Sequence, residues 1–409
     1  MHVLLIHQAF AALDEAGGTR HHEIARYLNS CGHHVTIIAS PISYLTGKSQ
    51  EQWPSVSGDN TPSDGISIFR AYTYSALHRS FVHRVFSFLS FMISSFFIGL
   101  KVEDVDLVWG TSPPIFQCLT AWALARLKRV PFLLEIRDLW PAFAIAIGVL
   151  RQPALIKASE WLERFLYRHA DKVVVNSPGF IEHVQSAGAS HVELVPNGAD
   201  VGMFDPHAEG TDFRLANGFG DKFLALYAGA HGISNDLGTI LSAAKILQED
   251  KSDILFVLIG DGKEKPALQD QAKKLSLENL IFIPPEPKNE MPEVLAAADA
   301  CIAILKPIPL YSTVYPNKVF DYMAAGRPVI LAMEGVIREV IEKAGAGISV
   351  SPGDPDALAN AVKYLAEHPE ERAEFGIMGN DYVKKHFNRI DQADKLGQII
   401  EKMVNRNKV

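Results

Sequence analysis

The sequence has few cysteines, which disulfide scaffolds and cysteine-ligated metal centres require. Its 409 residues include only three cysteines, Cys31, Cys118 and Cys301, which lie far apart and lack metal-ligand spacing. With 48% hydrophobic and 21% charged residues, the composition excludes the collagen-like and disordered classes. We therefore expect reduced thiols in a cytosolic protein of two or three domains, since domains average roughly 150 residues.

Positive charge is also scarce, and it is unevenly placed. The formal net charge of −8 argues against general nucleic-acid binding. Residues 1–200 hold 16 Lys+Arg against 17 Asp+Glu and 11 of the 15 histidines, whereas residues 201–409 hold 23 against 30. The near-neutral first half is therefore the half that tolerates an anionic membrane surface.

Long hydrophobic runs are missing, with one exception. No secretory signal opens the chain, because Val3–Ile6 is short and has no charged segment before it. Residues 85–100 form an uncharged run that is shorter than the about 20 residues of a membrane span. A core helix and an interfacial helix stay open as alternatives, and a span is disfavoured. The flanking basic residues are His78, Arg79, His83, Arg84 and Lys101.

Apolar runs alternate with helical patterns along the chain. A strand at 3–6, a helix with Ile24 and Leu28 on one face, and a strand at 35–39 form a βαβ unit, which implies a parallel sheet. The alternation restarts after the turn-rich residues 196–200. Two consecutive doubly wound α/β units, followed by a terminal amphipathic helix, are therefore predicted.

Three glycine-containing loops follow predicted strands, at 17–18, 229–232 and 260–262. In open parallel sheets, ligands bind at the carboxyl ends of strands, where helix N-termini favour phosphate. Each loop taken alone is more often a tight turn. No G-x-G-x-x-G follows the first strand, which disfavours a nicotinamide or flavin dinucleotide enzyme.

The segment 315–330, YPNKVFDYMAAGRPVI, is the most informative part of the sequence. Pro316 suits a helix start and Gly326 suits the position just after its end. The helix N-terminus can hold a diphosphate beside Lys318, and Asp321 can accept from two ribose hydroxyls. The alternative is that Asp321 only complements the helix dipole and that Lys318 is solvated.

These motifs together resemble those of retaining, nucleotide-sugar-dependent glycosyltransferases of GT-B architecture, in the large family-four group. The resemblance implies two facing Rossmann-like domains with an interdomain cleft. Residues 1–198 would bind the acceptor, residues 199–386 would bind the nucleotide sugar, and the helix of 387–409 would pack back on the first domain. The segments that carry the resemblance are 16–20, 32–35, 137–141, 195–198, 258–262 and 315–330.

The resemblance also implies roles for the motifs of the donor half. Asp321 matches the second acid of a Glu-seven residues-Glu pattern, whose first acid falls on Thr313, a departure that affects sugar recognition. Ala230 and Leu237 stand where relatives carry an Arg and a Lys, so the diphosphate needs another cation. Lys318, Lys263 and Lys265 are the first candidates, with Arg20 and Arg137 also available. The implied donor-binding residues are Gly17, Gly18, Gly229, His231, Gly260, Lys263, Tyr315, Asn317, Lys318 and Asp321.

On the acceptor side, the resemblance assigns Asp138 to orient the acceptor hydroxyl or to take its proton. A helix cap is the alternative role for this residue. Thr19, Arg20 and Arg137 are the implied acceptor-binding residues, and Asp138 and Lys318 are the catalytic ones. We expect a same-face substitution in which helix N-termini and lysine charge stabilise the leaving diphosphate, without a catalytic metal or other cofactor.

The expected function is therefore retaining transfer of a sugar, an N-acetylated amino or deoxy sugar, from a UDP-sugar to a polyprenyl-diphosphate-linked saccharide. The sequence is similar to bacterial transferases of O-antigen, lipopolysaccharide and capsule synthesis, including those that use UDP-N-acetyl-L-fucosamine. This implies peripheral attachment to the cytoplasmic face of the inner membrane, with 85–100 and 141–150 contacting lipid. The alternatives are a UDP-sugar 2-epimerase of the same architecture and a non-enzymatic, two-domain sugar-binding protein.

Overall fold

The computed structural model describes residues 1–43, 47, 66–75 and 81–407. The chain forms two compact units. Unit 1 contains Met1–Ala12, Gly17–Pro196 and Ile390–Val409, and unit 2 contains Leu13–Ala16 and Asn197–Arg389. The main change of unit therefore occurs between Pro196 and Asn197, and the chain returns to unit 1 for its last helix.

Unit 1 is built on a parallel sheet of seven strands in the order β3-β2-β1-β4-β5-β6-β7. Its strands are nearly all buried because helices cover the sheet, which is why they are apolar on both faces. The strands are β1 (His2–Ile6), β2 (His34–Ala39), β3 (Ile66–Arg70), β4 (Leu107–Ser112), β5 (Phe132–Ile136), β6 (Lys172–Val175) and β7 (Val192–Leu194). The helices are α1 (Arg20–Ser30), α2 (Phe81–Lys101), α3 (Phe116–Lys128), α4 (Ala142–Ala146), α5 (Pro153–His169) and α6 (Ile181–Ser186).

Unit 2 repeats the plan with six parallel strands in the order β10-β9-β8-β11-β12-β13. Two apolar clusters pack on the faces of this sheet. The strands are β8 (Phe223–Ala228), β9 (Ile254–Ile259), β10 (Leu280–Ile283), β11 (Ala300–Ile304), β12 (Val329–Ala332) and β13 (Gly347–Ser349). The helices are α7 (Thr211–Asn217), α8 (Leu237–Glu249), α9 (Lys265–Lys274), α10 (Met291–Ala296), α11 (Asn317–Ala324), α12 (Val336–Ala344), α13 (Pro355–Glu367) and α14 (Pro369–His386).

The terminal helix α15 (Arg389–Asn407) packs its apolar face into the core of unit 1. Gly397 approaches Leu28 of α1 so closely that a Cβ at Gly397 would lie 3.2 Å from a Leu28 methyl. Tyr27 donates to Asp394 at 2.8 Å on the same contact. An amphipathic C-terminal pattern thus finds its partner surface on α1.

The predicted α/β class with two Rossmann-like domains is confirmed by the two parallel sheets. In both sheets the strand order reverses beside the first strand of the unit, between β1 and β4 and between β8 and β11. Ligands of open α/β folds bind at such reversals, at the carboxyl ends of the strands.

The uncharged run at 85–100 lies within α2, which is longer than the run. Within the described part of the chain, one helix, His83–Lys101, is long and apolar enough to span a membrane, judged by length and composition alone. Only 22% of an 18-residue window of this helix is buried, whereas the core helix of a soluble protein is mostly buried. The basic residues His78 and Arg79 lie outside the described residues.

Candidate functional site

Unit 1 gathers polar side chains at the carboxyl ends of β1, β4 and β5. Arg137 follows β5 and is held by three groups from its neighbours. Its Nε donates to Thr111 Oγ1 at 2.9 Å, and one of its terminal nitrogens donates to the carbonyl of Pro113 at 3.0 Å and to His7 Nε2 at 3.1 Å. The guanidinium is therefore fixed at the point where the strand order reverses.

His7 follows β1 and is completely buried. Burial, together with nearby His21 and Arg137, holds the pKa of the His7 imidazole well below its usual range, so the ring is neutral. Since Nε2 accepts from Arg137, the proton of the neutral ring resides on Nδ1. That Nδ1 is buried and has no hydrogen-bond partner among the described residues.

Asp138 is the next residue after Arg137 and is the predicted acceptor-side base. Burial raises the pKa of its carboxyl to about 6, against the opposing effect of Arg137. The helix-cap alternative does not apply to α4, because Pro141 occupies the N-cap position there. Asp138 therefore stays mainly ionised at neutral pH while being poised to take a proton.

Thr19 and Arg20, which the resemblance assigns to the acceptor, have internal partners instead. Thr19 donates to Glu23 at 2.6 Å. Arg20 Nε pairs with Glu135 at 3.0 Å, and its terminal nitrogens donate at 2.8 Å to the carbonyls of Pro196 and Val195. Both side chains are buried, and the contacts give them a structural role.

Glu135 is the centre of this buried network. It lies inside β5, fully buried, and its second oxygen accepts from His21 Nε2 at 2.5 Å. Burial opposes its charge, but His21 and Arg20 lower the pKa of the carboxyl below its usual range. Burial lowers the pKa of His21 to about 4, so a neutral His21 donates to an ionised Glu135.

The double glycine of unit 1 is in the loop that precedes α1. A Cβ at Gly17 would lie 2.8 Å from the Ala11 methyl, so this position excludes a side chain. A Cβ at Gly18 would meet nothing within 4 Å. The two glycines thus differ: Gly17 permits a close turn, and Gly18 leaves the loop surface open to a ligand.

Unit 2 brings its two glycine loops together. The loops after β8 and β9 are joined by hydrogen bonds from Gly229 N to the Ile259 carbonyl at 2.9 Å and from His231 N to the Asp261 carbonyl at 2.8 Å. A Cβ at Gly260 would lie 1.9 Å from the Gly229 oxygen. A side chain at Gly260 would not fit between the two loops. We call the paired loops at 229–232 and 260–262, at the carboxyl edge of the sheet, the double loop.

Lys318 reaches this double loop from α11. Its Nζ lies 3.7 Å from the centre of the Tyr227 ring, and a Cβ at Gly229 would lie 2.5 Å from the same Nζ. The amine is buried and has no hydrogen-bond partner in the described structure. Burial lowers its pKa to about 7. Lys318 is thus an unsatisfied buried amine, not the solvated lysine that was the alternative.

Asp321 lies one turn further along α11 and forms an ion pair with Lys288 at 2.7 Å. Asn317 Nδ2 donates to the same carboxyl oxygen at 3.3 Å, and Asn317 Oδ1 accepts from Arg389 at 2.7 Å. Lys288 is itself buried. The predicted ribose-binding carboxylate is therefore oriented by Lys288 and by Asn317 of its own helix, and Arg389 in turn holds Asn317.

The other predicted donor residues have varied surroundings. His231 is fully buried, and burial lowers the pKa of its ring to about 4. Lys263 is exposed, whereas Lys265 Nζ donates to the carbonyls of Gly260 at 2.6 Å and Ile283 at 3.2 Å and so ties the loop to the sheet. Tyr315 packs on Phe320 and Phe387, and Thr313 ends a short 3₁₀ turn.

The sequence reasoning missed several residues of these networks, among them His7, Glu135, Tyr227 and Lys288. Glu135 had a visible signal, since it is a lone charge inside an apolar strand, and such a charge needs a buried partner. In the residues that the structure describes, no group of three or more His, Cys, Asp or Glu side chains is arranged to hold a metal ion.

Both units match glycosyltransferase families in comparisons with known proteins. Residues 16–198 match the family described as Glycosyl transferase 4-like domain, and residues 211–381 match Glycosyl transferases group 1. WcaI of Escherichia coli (strain K12), whose name assigns it to colanic acid biosynthesis as a glycosyl transferase, is 23% identical over 396 residues. The alignment covers 92% of this chain and 93% of WcaI.

Two solved structures share the fold along nearly the whole chain. Sucrose-phosphate synthase from Thermosynechococcus elongatus superposes with a TM-score of 0.78 at 19% identity and covers 99% of both chains. HepE from Anabaena, crystallised with UDP and glucose, superposes with a TM-score of 0.72 at 16% identity, covering 98% of this chain and all of HepE. At these identities the likeness establishes the fold.

Proposed function

We propose that this chain, whose two units each match a glycosyltransferase family, transfers a sugar from a UDP-sugar to a polyprenyl-diphosphate-linked saccharide with retention of configuration. An N-acetylated amino or deoxy sugar is the proposed donor group. The UDP bound to HepE and the colanic acid assignment of WcaI support a nucleotide-sugar donor and a cell-surface polysaccharide product, such as O-antigen or capsule.

The observation that carries this proposal is the buried amine of Lys318. A lysine amine without a hydrogen-bond acceptor is costly in a protein interior, unless a ligand supplies the acceptor. Lys318 Nζ lies beside the double loop of unit 2 and next to the N-terminus of α11. A diphosphate placed there would accept from Nζ and from the free backbone N–H groups of the helix.

The proposed chemistry uses that charge on the leaving group. The bond between the anomeric carbon and the diphosphate oxygen breaks, and the acceptor hydroxyl attacks the same face of the sugar. Negative charge then grows on the diphosphate, where Lys318 and the α11 N-terminus stabilise it. Asp321, held by Lys288, would fix the ribose through its two hydroxyls.

Unit 1 would supply the acceptor chemistry. Asp138 takes the proton of the attacking hydroxyl, since its carboxylate is ionised at neutral pH and has a pKa of about 6. Arg137, fixed by Thr111, Pro113 and His7, places a positive charge beside it for the acceptor diphosphate or sugar. We propose peripheral attachment to the cytoplasmic face of the inner membrane, because a polyprenyl-linked acceptor resides there, and no catalytic metal.

A panel of UDP-sugars tests the proposal. The donor should raise the Tm of the wild-type protein, and Lys318→Met should lose that shift, while Lys274→Met on the exposed end of α9 should keep it. Mass spectrometry and NMR of the product from a lipid-linked N-acetylglucosamine acceptor then identify the linkage and its anomer. Conversion of the UDP-sugar to an epimer without any acceptor, or binding without turnover, would contradict transfer.

A further inference from the structure

Helix α2 presents its small residues to the protein. Its buried positions recur every four residues, at Ser87, Phe91, Ser95 and Gly99. Three of these four residues are serine or glycine, whereas helices of water-soluble domains bury their large apolar residues. Phe91 is therefore the one large apolar side chain among these fully buried positions of α2.

The outward face of α2 exposes five further large apolar side chains. Their spacing along the chain of three, four, four and three residues places them in one stripe along the helix. Over half of the Phe86, Ile93 and Phe97 side chains is exposed. We call these residues the α2 stripe: Phe86 (57% exposed), Leu89 (36%), Ile93 (54%), Phe97 (60%) and Leu100 (41%).

Contacts with α3 fix the helix in this orientation. A Cβ at Gly99 would lie 2.4 Å from a Leu124 methyl, so the two helices approach closely there. Thr120 Oγ1 donates to the Met92 carbonyl at 3.1 Å across the same interface. Because α2 is packed along one side, it cannot cross a bilayer without leaving the fold. The stripe is about 21 Å long, shorter than the roughly 30 Å of a hydrocarbon core.

The charges around the stripe select the kind of surface that it fits. From Phe81 to Lys101 the helix has no acidic residue, and Arg84 and Lys101 lie at its two ends. Lys128 adds a third positive charge at the C-terminal end, where its Nζ donates to the carbonyls of Leu100 and Val102. Glu103 and Asp104 follow the helix and offset part of this charge. An apolar stripe with basic ends matches an anionic lipid surface.

We propose that the α2 stripe docks unit 1 onto an anionic bilayer, with the helix lying in the plane of the lipid headgroups. This inference rests on the proposed function only in that a lipid-linked acceptor gives the docking its purpose. The half-buried segment 141–150, which was also expected to contact lipid, presents no large exposed apolar side chain. Of the two segments that were expected to contact lipid, α2 is therefore the one with an exposed apolar face.

Sedimentation with phosphatidylethanolamine vesicles, with and without phosphatidylglycerol, tests the proposal on the full chain. Wild type should bind the vesicles that contain phosphatidylglycerol, and salt should weaken the binding. The double variant Ile93→Ser, Phe97→Ser should bind at least about tenfold more weakly, since it removes two apolar side chains from the lipid contact. Leu215→Ser on α7, equally apolar and 74% exposed, is the matched control and should bind like wild type.

Three results would overturn the proposal. They are wild-type protein that stays in the supernatant, a double variant that sediments normally, and a wild-type dimer in light scattering that the double variant converts to a monomer. The Tm of the double variant should not fall, because both side chains are exposed. The Tm shift caused by the UDP-sugar is measured on the same samples. A wild-type protein that binds vesicles but shows no such shift would refute the donor site and leave the docking proposal intact.

Discussion

Replacing Lys318 with methionine should remove a proton that the protein takes up when it binds UDP. Burial lowers the pKa of the unliganded amine from 10.5 to about 7. At pH 8 only about a tenth of the Lys318 amines are therefore charged. A bound diphosphate favours the charged form, so each binding event at pH 8 should take up ~0.9 proton at this site.

The same coupling sets the pH dependence of UDP affinity. Below pH 7 the amine is protonated in both the free and the bound protein, and affinity does not depend on it. Above pH 7 the free amine must gain a proton on binding, so Kd should rise about tenfold per pH unit, or roughly 1.4 kcal/mol. The slope ends where the pKa of the bound amine is reached.

Isothermal titration calorimetry in buffers of different ionisation enthalpy measures this uptake. Work between pH 7.5 and 9 avoids the phosphate of UDP itself, whose second pKa is about 6. The nearby His231 has a pKa of about 4 and stays neutral in this range, whereas Lys265 also has a lowered pKa. Buffer dependence that persists in Lys318→Met would therefore assign the proton to Lys265 or another group and refute the reasoning.

Gly229→Ala is a second perturbation, which keeps the Lys318 amine in the protein but displaces it. The added methyl would lie 2.5 Å from Lys318 Nζ and 3.4 Å from the Tyr227 hydroxyl, so the lysine tip must move away from the double loop. We expect weaker UDP binding and a Lys318 pKa that returns toward its ordinary value as the amine gains water. Proton uptake equal to that of wild type would show that the position of Nζ is immaterial.

Three further predictions concern the rest of the site. Activity should fall with an acid limb near pH 6 as Asp138 becomes protonated, and Asp138→Asn should lose both the activity and that limb in a pH–rate profile. Glu135→Gln should lower the free energy of unfolding in urea by about 3–5 kcal/mol because Arg20 loses a buried partner, whereas Glu193→Gln, in a partly exposed pair with Lys172, should cost at most about 1 kcal/mol. Turnover should persist in EDTA, and loss of activity in EDTA would show that a metal takes part in the reaction.

The two sheets could be predicted because each of their core strands is a short apolar run between turn signals. The strands predicted at 3–6, 35–39, 223–227 and 255–259 correspond to β1, β2, β8 and β9, and each limit agrees to within one residue. The exceptions are β3 and β13, which were not predicted. β3 follows a polar stretch and ends in a charge, and β13 has only three residues, so neither has enough apolar pattern to stand out.

The networks around the site could not be predicted, because they join residues that are far apart in sequence. His21 and Glu135 are separated by 114 positions. Lys288 and Asp321 lie on different elements of unit 2, and only the folded sheet brings them within 2.7 Å. Sequence motifs identified Asp321 correctly as a carboxylate of α11, but the partner that orients it carries no local signal.

Lys318 places a basic side chain near the loop after β8, where the cations expected from the resemblance are missing. The resemblance leads one to expect an Arg and a Lys after the first strand of the second unit, but Ala230 and Leu237 stand there. The amine of Lys318, contributed by a helix some ninety positions later, lies against the glycine that precedes Ala230. The Lys318 amine and a side chain at position 229 cannot both occupy that space, so the position of Lys318 requires glycine at 229. In the proposed function, the positive charge that the diphosphate needs therefore comes from α11, because the loop after β8 carries no Lys or Arg.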